Sequence, residues 1–165
     1  MTGLGRRIVI MGVAGCGKST VAAVIADRLR SRFVEADAVH SPANIAKMSA
    51  GIALTDDDRW PWLAALQGEL RSGNVVVACS ALRRSYRDVL RAAGDVELVF
   101  LDVTEAEVRR RLRARAGHFM RAEMIDSQFA TLERPGDDET DVAVIAADGP
   151  IESVIEAVTS ALGVA

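Results

Sequence analysis

The apolar run Arg7-Ile8-Val9-Ile10-Met11 breaks at Gly12 into Gly12-Val13-Ala14-Gly15-Cys16-Gly17-Lys18-Ser19, and a segment of helical periodicity follows from Lys18. A strand that ends in glycines and re-emerges as a helix leaves few alternatives for the fold around it. The glycines permit backbone conformations closed to other residues and let successive amides turn inward around an anion. The helix that starts there aims its unpaired N–H groups and its dipole at the same point. The spacing GxxxxGK[ST] predicts a nucleotide phosphate site formed by Gly12, Val13, Ala14, Gly15, Cys16, Gly17, Lys18, Ser19 and Thr20. In it Lys18 would bridge the β- and γ-phosphates of a nucleoside triphosphate as a mobile point charge, and the Ser19 hydroxyl is the expected ligand of Mg²⁺.

Lysine usage supports this reading independently. Of 20 basic residues only Lys18 and Lys47 are lysines. An arginine excess beside abundant alanine is compositional background, yet the chain keeps lysine at position 18. A planar guanidinium would not fit a loop wrapped around a phosphate.

The remaining composition narrows the class. At 165 residues, 50% hydrophobic and with a net charge of −3, the chain is expected to form one domain over residues 1–165. Mild acidity argues against a nucleic-acid partner, and the densest apolar runs are strand-sized, too short for a membrane span. Cys16 and Cys79 have neither zinc-ligand spacing nor a disulfide framework, and no signal-peptide apolar stretch follows Met1. A cytoplasmic protein is the expectation.

Short apolar runs alternate with helical patterns. Strands are predicted at 7–11, 33–36, 75–79, 96–101 and 141–147, with helices at 18–32, 41–50, 55–73, 83–93, 104–115, 122–132 and 151–162. Ser41-Pro42 is an N-cap followed by proline at the first helical position, and Thr104 with Glu107 has capping-box spacing. Such alternation predicts an α/β fold: a parallel sheet covered by helices on both faces. A phosphate loop specifies a nucleotide but not a reaction. The chain lacks the DxxG and NKxD segments of GTPase switches, so a small phosphoryl-transfer kinase is the economical choice.

Several segments together resemble the gluconokinases, within the shikimate-kinase-like and nucleoside-monophosphate-kinase-like P-loop kinases. They are MGVAGCGKST at 11–20, EADAVHSPANIAKM at 35–48, LTDDDRWPWL at 54–63, CSALRRSYRDVLR at 79–91, RARAGHFM at 113–120 and SQFATLERPGDDE at 127–139. They span nearly the whole chain in the family's order. The resemblance implies ATP-dependent phosphorylation of D-gluconate at its 6-hydroxyl. It also implies a three-layer P-loop kinase fold with a parallel five-stranded sheet, a mobile lid at about 113–137, and a homodimer. One departure is Arg134, where the family usually has an uncharged or acidic residue before the proline; here it either alters lid closure or sits in solvent.

Site residues follow from what the chemistry needs. Asp37, just past the second strand, would lie at the carboxyl edge of the sheet and orient or deprotonate the acceptor hydroxyl. His40 is a candidate hydrogen-bond partner for a sugar-acid hydroxyl. A carboxylate substrate calls for arginine, and Arg59, Arg83 and Arg87 are the candidates, Arg87 one helical turn beyond Arg83. Arg111 and Arg115 are four apart in an arginine-rich stretch, and the resemblance implies that such lid arginines close over ATP and stabilise charge on the transferring phosphoryl group. Pro150, in Asp148-Gly149-Pro150, would edge the adenine, as the resemblance suggests. Asp56, Asp57 and Asp58 read first as helix-capping acids. The alternatives are a related small-molecule kinase such as a shikimate kinase, or a nucleotide-binding regulatory module without catalysis.

Overall fold

In a computed structural model that describes residues 5–115 and 122–165, five parallel strands form the middle layer. They are β1 (Arg7–Met11), β2 (Arg32–Glu35), β3 (Val75–Cys79), β4 (Glu97–Asp102) and β5 (Val142–Ala146), in the order β2-β3-β1-β4-β5. The helices are α1 (Lys18–Leu29), α2 (Pro42–Ser49), α3 (Asp56–Arg71), α4 (Arg84–Arg91), α5 (Glu105–Ala114), α6 (Ala122–Thr131) and α7 (Ile151–Leu162).

Strand alternation divides the core in two. Ile8, Ile10, Val76, Ala78, Val99 and Leu101 face one way, onto Val21 and Ile25 of α1 and Val154 and Val158 of α7. Val9, Met11, Val75, Val77, Leu98 and Phe100 face the other, onto Leu63, Leu66 and Leu70 of α3 and Tyr86 and Leu90 of α4. Both faces are covered, so Ile8 to Met11 of β1 and all of β3 carry apolar side chains without interruption. Each buried aliphatic side chain contributes about 1.5–3 kcal/mol of transfer free energy. With β1 in the centre, its glycine loop emerges between the ends of β3 and β4.

The expected elements are all present, with local differences. Helix α1 stops at Leu29 instead of continuing to 32, because Arg30 adopts a left-handed conformation (φ 51°) and its N–H returns to Ala26 and Asp27. That frees Arg32 to pair with Val75, so β2 starts one residue earlier than expected and ends at Glu35. A 3-10 turn over Ala36–Val39 follows, and Asp37 lies within it. Ser41 caps α2 through the Asn44 N–H, and Thr55 with Asp58 forms a reciprocal capping box on α3. At α5 only half of the expected box forms: Thr104 accepts from the Glu107 N–H, while the Glu107 carboxylate turns to Arg110 and Arg111.

Arg134 does not sit unpartnered in solvent. Its guanidinium pairs with Asp102 at the carboxyl end of β4. Of the segment assigned to a lid, Gly117, His118 and Phe119 lie outside the described residues. Among the described residues no helix is long and apolar enough to cross a membrane.

Candidate active site

The glycine loop has the conformation its sequence requires. Gly12 has φ 149°, and a Cβ there would come within 2.9 Å of the Leu101 carbonyl oxygen. Gly17 caps α1 in the left-handed region (φ 93°), where a Cβ would meet Ile151 at 2.9 Å. No side chain caps α1, which leaves its first N–H groups facing the loop. The Gly12 N–H donates to the Ser80 carbonyl (3.3 Å), tying the loop to the end of β3, and Lys18 Nζ reaches across to the Val13 carbonyl (3.4 Å).

Ser19 Oγ donates to Glu35 Oε2 at 2.5 Å, at the carboxyl end of β2. A hydroxyl and a carboxylate are hard oxygen donors. They fit Mg²⁺, which takes few protein ligands and fills its shell with water and phosphate oxygens. Glu35 was not anticipated as part of this set.

Beside the loop lies a cleft lined by Asp37, His40, Arg59, Ser80, Tyr86 and one face of α6. Buried Trp62 of α3 supports its floor: the indole N–H donates to the Ala36 carbonyl (2.8 Å) and so fixes the turn that carries Asp37. The Trp62 ring also stacks on His40, with centroids 4.2 Å apart. Asn44 Nδ2 donates to the Asp58 carbonyl (2.9 Å) and lies 3.2 Å from His40 Nδ1. An amide NH₂ can only donate, so Nδ1 is the acceptor and His40 carries its proton on Nε2. Burial pushes the His40 pKa down, with Arg59 adding to the effect and Asp37 opposing it. The ring is therefore held neutral and keeps one N–H donor.

At the other end of this region, Arg59 and Arg83 converge on one carboxylate. Asp56 lies 3.8 Å from Arg59 and 3.7 Å from Arg83, too long for hydrogen bonds, while its Oδ1 accepts from the Tyr86 hydroxyl at 2.5 Å. Arg59 donates to the Tyr86 oxygen (3.2 Å) and lies 5.5 Å from the centre of its ring. Burial and the Asp56 contact both push the Tyr86 pKa up. Asp56 thus belongs to this cluster rather than acting only as a capping acid. Lys47 is bidentate to Asp58 (2.8 and 2.9 Å), which joins α2 to α3 and holds that carboxyl down at about 2.

Arg87 is not available for a substrate carboxylate. It is 1% exposed, bidentate to Glu139 at 2.9 and 2.5 Å, and donates to the Ala81 and Leu82 carbonyls at 3.2 and 3.4 Å. Periodicity put it one turn from Arg83, but that turn faces the protein interior. Arg83 itself is the N-terminal cap residue of α4, at the surface.

A second cleft runs along the other side of the loop, lined by Gly15, Gly17, Thr20, Arg111, Arg115 and Pro150. Arg111 braces it: its guanidinium donates to the carbonyls of Gly15 (3.2 Å), Ala147 (2.5 Å) and Gly149 (3.3 Å) and to Glu107 (2.9 Å). Asp148 accepts from Thr104 at 2.8 and 3.0 Å, which fixes the 148–150 loop to the start of α5. Arg115 follows α5 in extended conformation and makes no ion pair among the described residues. Sequence reasoning also missed Gln128 of α6, whose Oε1 accepts the Ala14 N–H at 2.6 Å. It lies in a segment that resembles the family, but no local pattern singles out one glutamine.

A parallel sheet ordered 2-3-1-4-5, with a phosphate loop on its central strand and a cleft beside it, defines a P-loop kinase. The family profile described as an AAA domain matches residues 8–135. The chain is 50% identical over 147 residues to a gluconokinase of Gluconobacter oxydans (strain 621H), covering 84% of this chain and 82% of that protein. It is 43% identical over 153 residues to the thermoresistant gluconokinase of Escherichia coli (strain K12), covering 89% and 87%. The crystal structure of a gluconokinase from Sinorhizobium meliloti 1021 superposes with a TM-score of 0.90 at 44% identity, covering 97% of this chain and 93% of that one. This chain belongs to the gluconokinase family.

Proposed function

We propose that this protein transfers the γ-phosphoryl group of ATP to the 6-hydroxyl of D-gluconate, releasing ADP and 6-phosphogluconate. One observation carries the reading. Arg59 and Tyr86 connect a hydroxyl-handling cleft, holding Asp37 and neutral His40 beside the phosphate loop, to a carboxylate-seeking end where Arg59 and Arg83 flank Asp56. Gluconate has that polarity, with a carboxylate at one end and a primary alcohol at the other.

In the reaction O6 attacks the γ-phosphorus, the bond from phosphorus to the bridging oxygen of ADP breaks, and the hydroxyl proton passes to Asp37. Lys18 and the loop amides hold the phosphates in line. The His40 Nε2–H donates to a hydroxyl of the acceptor. Arg115 approaches the phosphates, and Arg111 keeps the Gly15 carbonyl and the 147–149 backbone at a fixed separation. Mg²⁺ held at Ser19, with Glu35 beside it, would neutralise charge on the phosphate oxygens. A lid over 113–137, a single domain spanning 1–165, a homodimer and a cytoplasmic location belong to the same reading. The first three rest on the family resemblance and the chain's length. The last rests on two free, buried thiols, of which Cys79 is pushed up to about 12 by burial.

The test is ADP release with ATP and Mg²⁺ against gluconate, shikimate, AMP and no acceptor. Turnover is expected with gluconate alone; turnover with shikimate or AMP but not gluconate would overturn the proposal. Asp37→Asn should lower kcat by about 10²–10⁴-fold with the nucleotide KM little changed, and near-normal kcat would remove Asp37 from its role.

A further inference from the structure

Helix α6 has two chemically distinct faces. Ile125 and Phe129 pack into the core beneath it. Met124, Ser127, Gln128 and Thr131, spaced as neighbours on one helical face, line the acceptor cleft opposite Asp37 and His40. Three of those four are polar and neutral, which suits a chain of hydroxyl groups better than a base or an aromatic ring. One of them also reaches out of the cleft: Gln128 Oε1 accepts the N–H of Ala14, within the phosphate loop, at 2.6 Å. Gln128 thus touches both the cleft and the phosphate loop.

The Ala14 hydrogen bond has a consequence for binding. A loop amide that donates to Gln128 must release it before donating to a phosphate oxygen. We propose that Gln128 is a positioning residue coupling the two sites. Its amide oxygen competes with nucleotide phosphate for the Ala14 N–H, and once displaced its side chain joins Ser127 and Thr131 in binding acceptor hydroxyls. Nucleotide binding then prepares the acceptor wall. The acceptor half of this inference rests on the gluconate reading; the nucleotide half does not.

The two halves have separate tests. Binding of ADP and of a non-hydrolysable ATP analogue is measured by calorimetry without acceptor, for the wild type, Gln128→Ala and Gln128→Glu. Removing an internal competitor should tighten nucleotide binding about three- to tenfold in Gln128→Ala, the worth of one ordinary hydrogen bond. Gln128→Glu puts a carboxylate at the same amide, where it holds the N–H more firmly and repels phosphate, so binding should weaken. A merely structural glutamine would give weakening or no change in both variants, and either result overturns the coupling. In steady-state assays Gln128→Ala and Ser127→Ala/Thr131→Ala should each raise the gluconate KM at least about fivefold. An unchanged gluconate KM in both, with wild-type turnover intact, would overturn the acceptor-wall role. Absence of gluconate turnover in the wild type would instead reject the gluconate reading and leave the nucleotide arm standing.

Discussion

Replacing Glu139 by glutamine isolates the buried ion pair that takes Arg87 out of the active site. Glu139 is 6% exposed, accepts two hydrogen bonds from Arg87 and a third from Arg91 at 2.6 Å. In Glu139→Gln, Arg91 keeps Asp88 at 2.7 Å and Asp141 at 2.6 Å, so only Arg87 becomes an uncompensated buried cation. Removing one partner of such a pair costs about 3–5 kcal/mol; the two carbonyls Arg87 retains favour the lower end, about 3 kcal/mol. For a domain of this size that corresponds to a fall of about 6–12 °C in Tm. The effect is also pH-dependent, with a definite sign. The two arginines hold the Glu139 carboxyl at about 2, below its ordinary 4.5. Its contribution is therefore complete above about pH 4.5 and is lost as pH falls toward 2. Thermal and urea melts of wild type and Glu139→Gln should differ fully at pH 7, by roughly half as much near pH 3, and converge only as pH approaches about 2. A Tm change below about 2 °C at pH 7, or a gap that persists at about pH 2, would refute the reasoning.

The double variant Arg87→Met/Glu139→Leu carries the argument into function. It buries no charge, and the Leu82 carbonyl keeps the Glu133 N–H at 2.8 Å, so one orphaned carbonyl, that of Ala81, remains. It should be destabilised by only about 1–3 kcal/mol. Its gluconate KM should stay within about threefold of wild type, whereas loss of a true carboxylate ligand would cost about 10- to 100-fold.

Other consequences are narrower. Lys18→Arg should lower kcat/KM about 10²-fold in the ADP-release assay, because a guanidinium cannot follow the phosphates as an ammonium does; unchanged activity would contradict the loop argument. Trp62→Phe keeps an aromatic ring on His40 but loses the hydrogen bond to Ala36. It should cost about 1 kcal/mol in a urea melt and lower kcat more than it raises the gluconate KM, and a wild-type kcat would deny Trp62 its hold on Asp37. Arg134→Ala breaks a half-exposed pair with Asp102, so its stability cost should be at most about 1 kcal/mol, and a loss above about 3 kcal/mol would show that the pair is more than a surface contact.

What could be read in the sequence was local. The loop over 12–19, the Ser41 and Thr104 caps and the run Val75–Cys79 each depend on residues within one turn or one strand, where spacing determines contact. The boundary of β2 was off by one because it depends on pairing with Val75, 43 positions away from Arg32. Contacts that assemble the site are longer still: Trp62 to Ala36 across 26 positions, Arg87 to Glu139 across 52 and Gln128 to Ala14 across 114. None leaves a periodic trace, since each depends on how two elements meet through the sheet.

Arginine shows the same limit from the side of composition. In the sequence, nothing separated Arg59, Arg83 and Arg87 as candidates for the carboxylate, and Arg111 and Arg115 were paired for the phosphoryl group. Their partners separate them. Arg87 is saturated by Glu139 and two carbonyls, and Arg111 by three carbonyls and Glu107, so both act by holding backbone in place. Arg59 and Arg83 face a carboxylate at distances beyond hydrogen bonding, and Arg115 lines the nucleotide cleft without an ion pair among the described residues. A guanidinium whose donors are taken can bind a ligand only by breaking what it already holds, and for Arg87 that would mean leaving Glu139 unpaired in the core. Donors still uncommitted cost less to redirect, so substrate contacts should come from Arg59, Arg83 and Arg115.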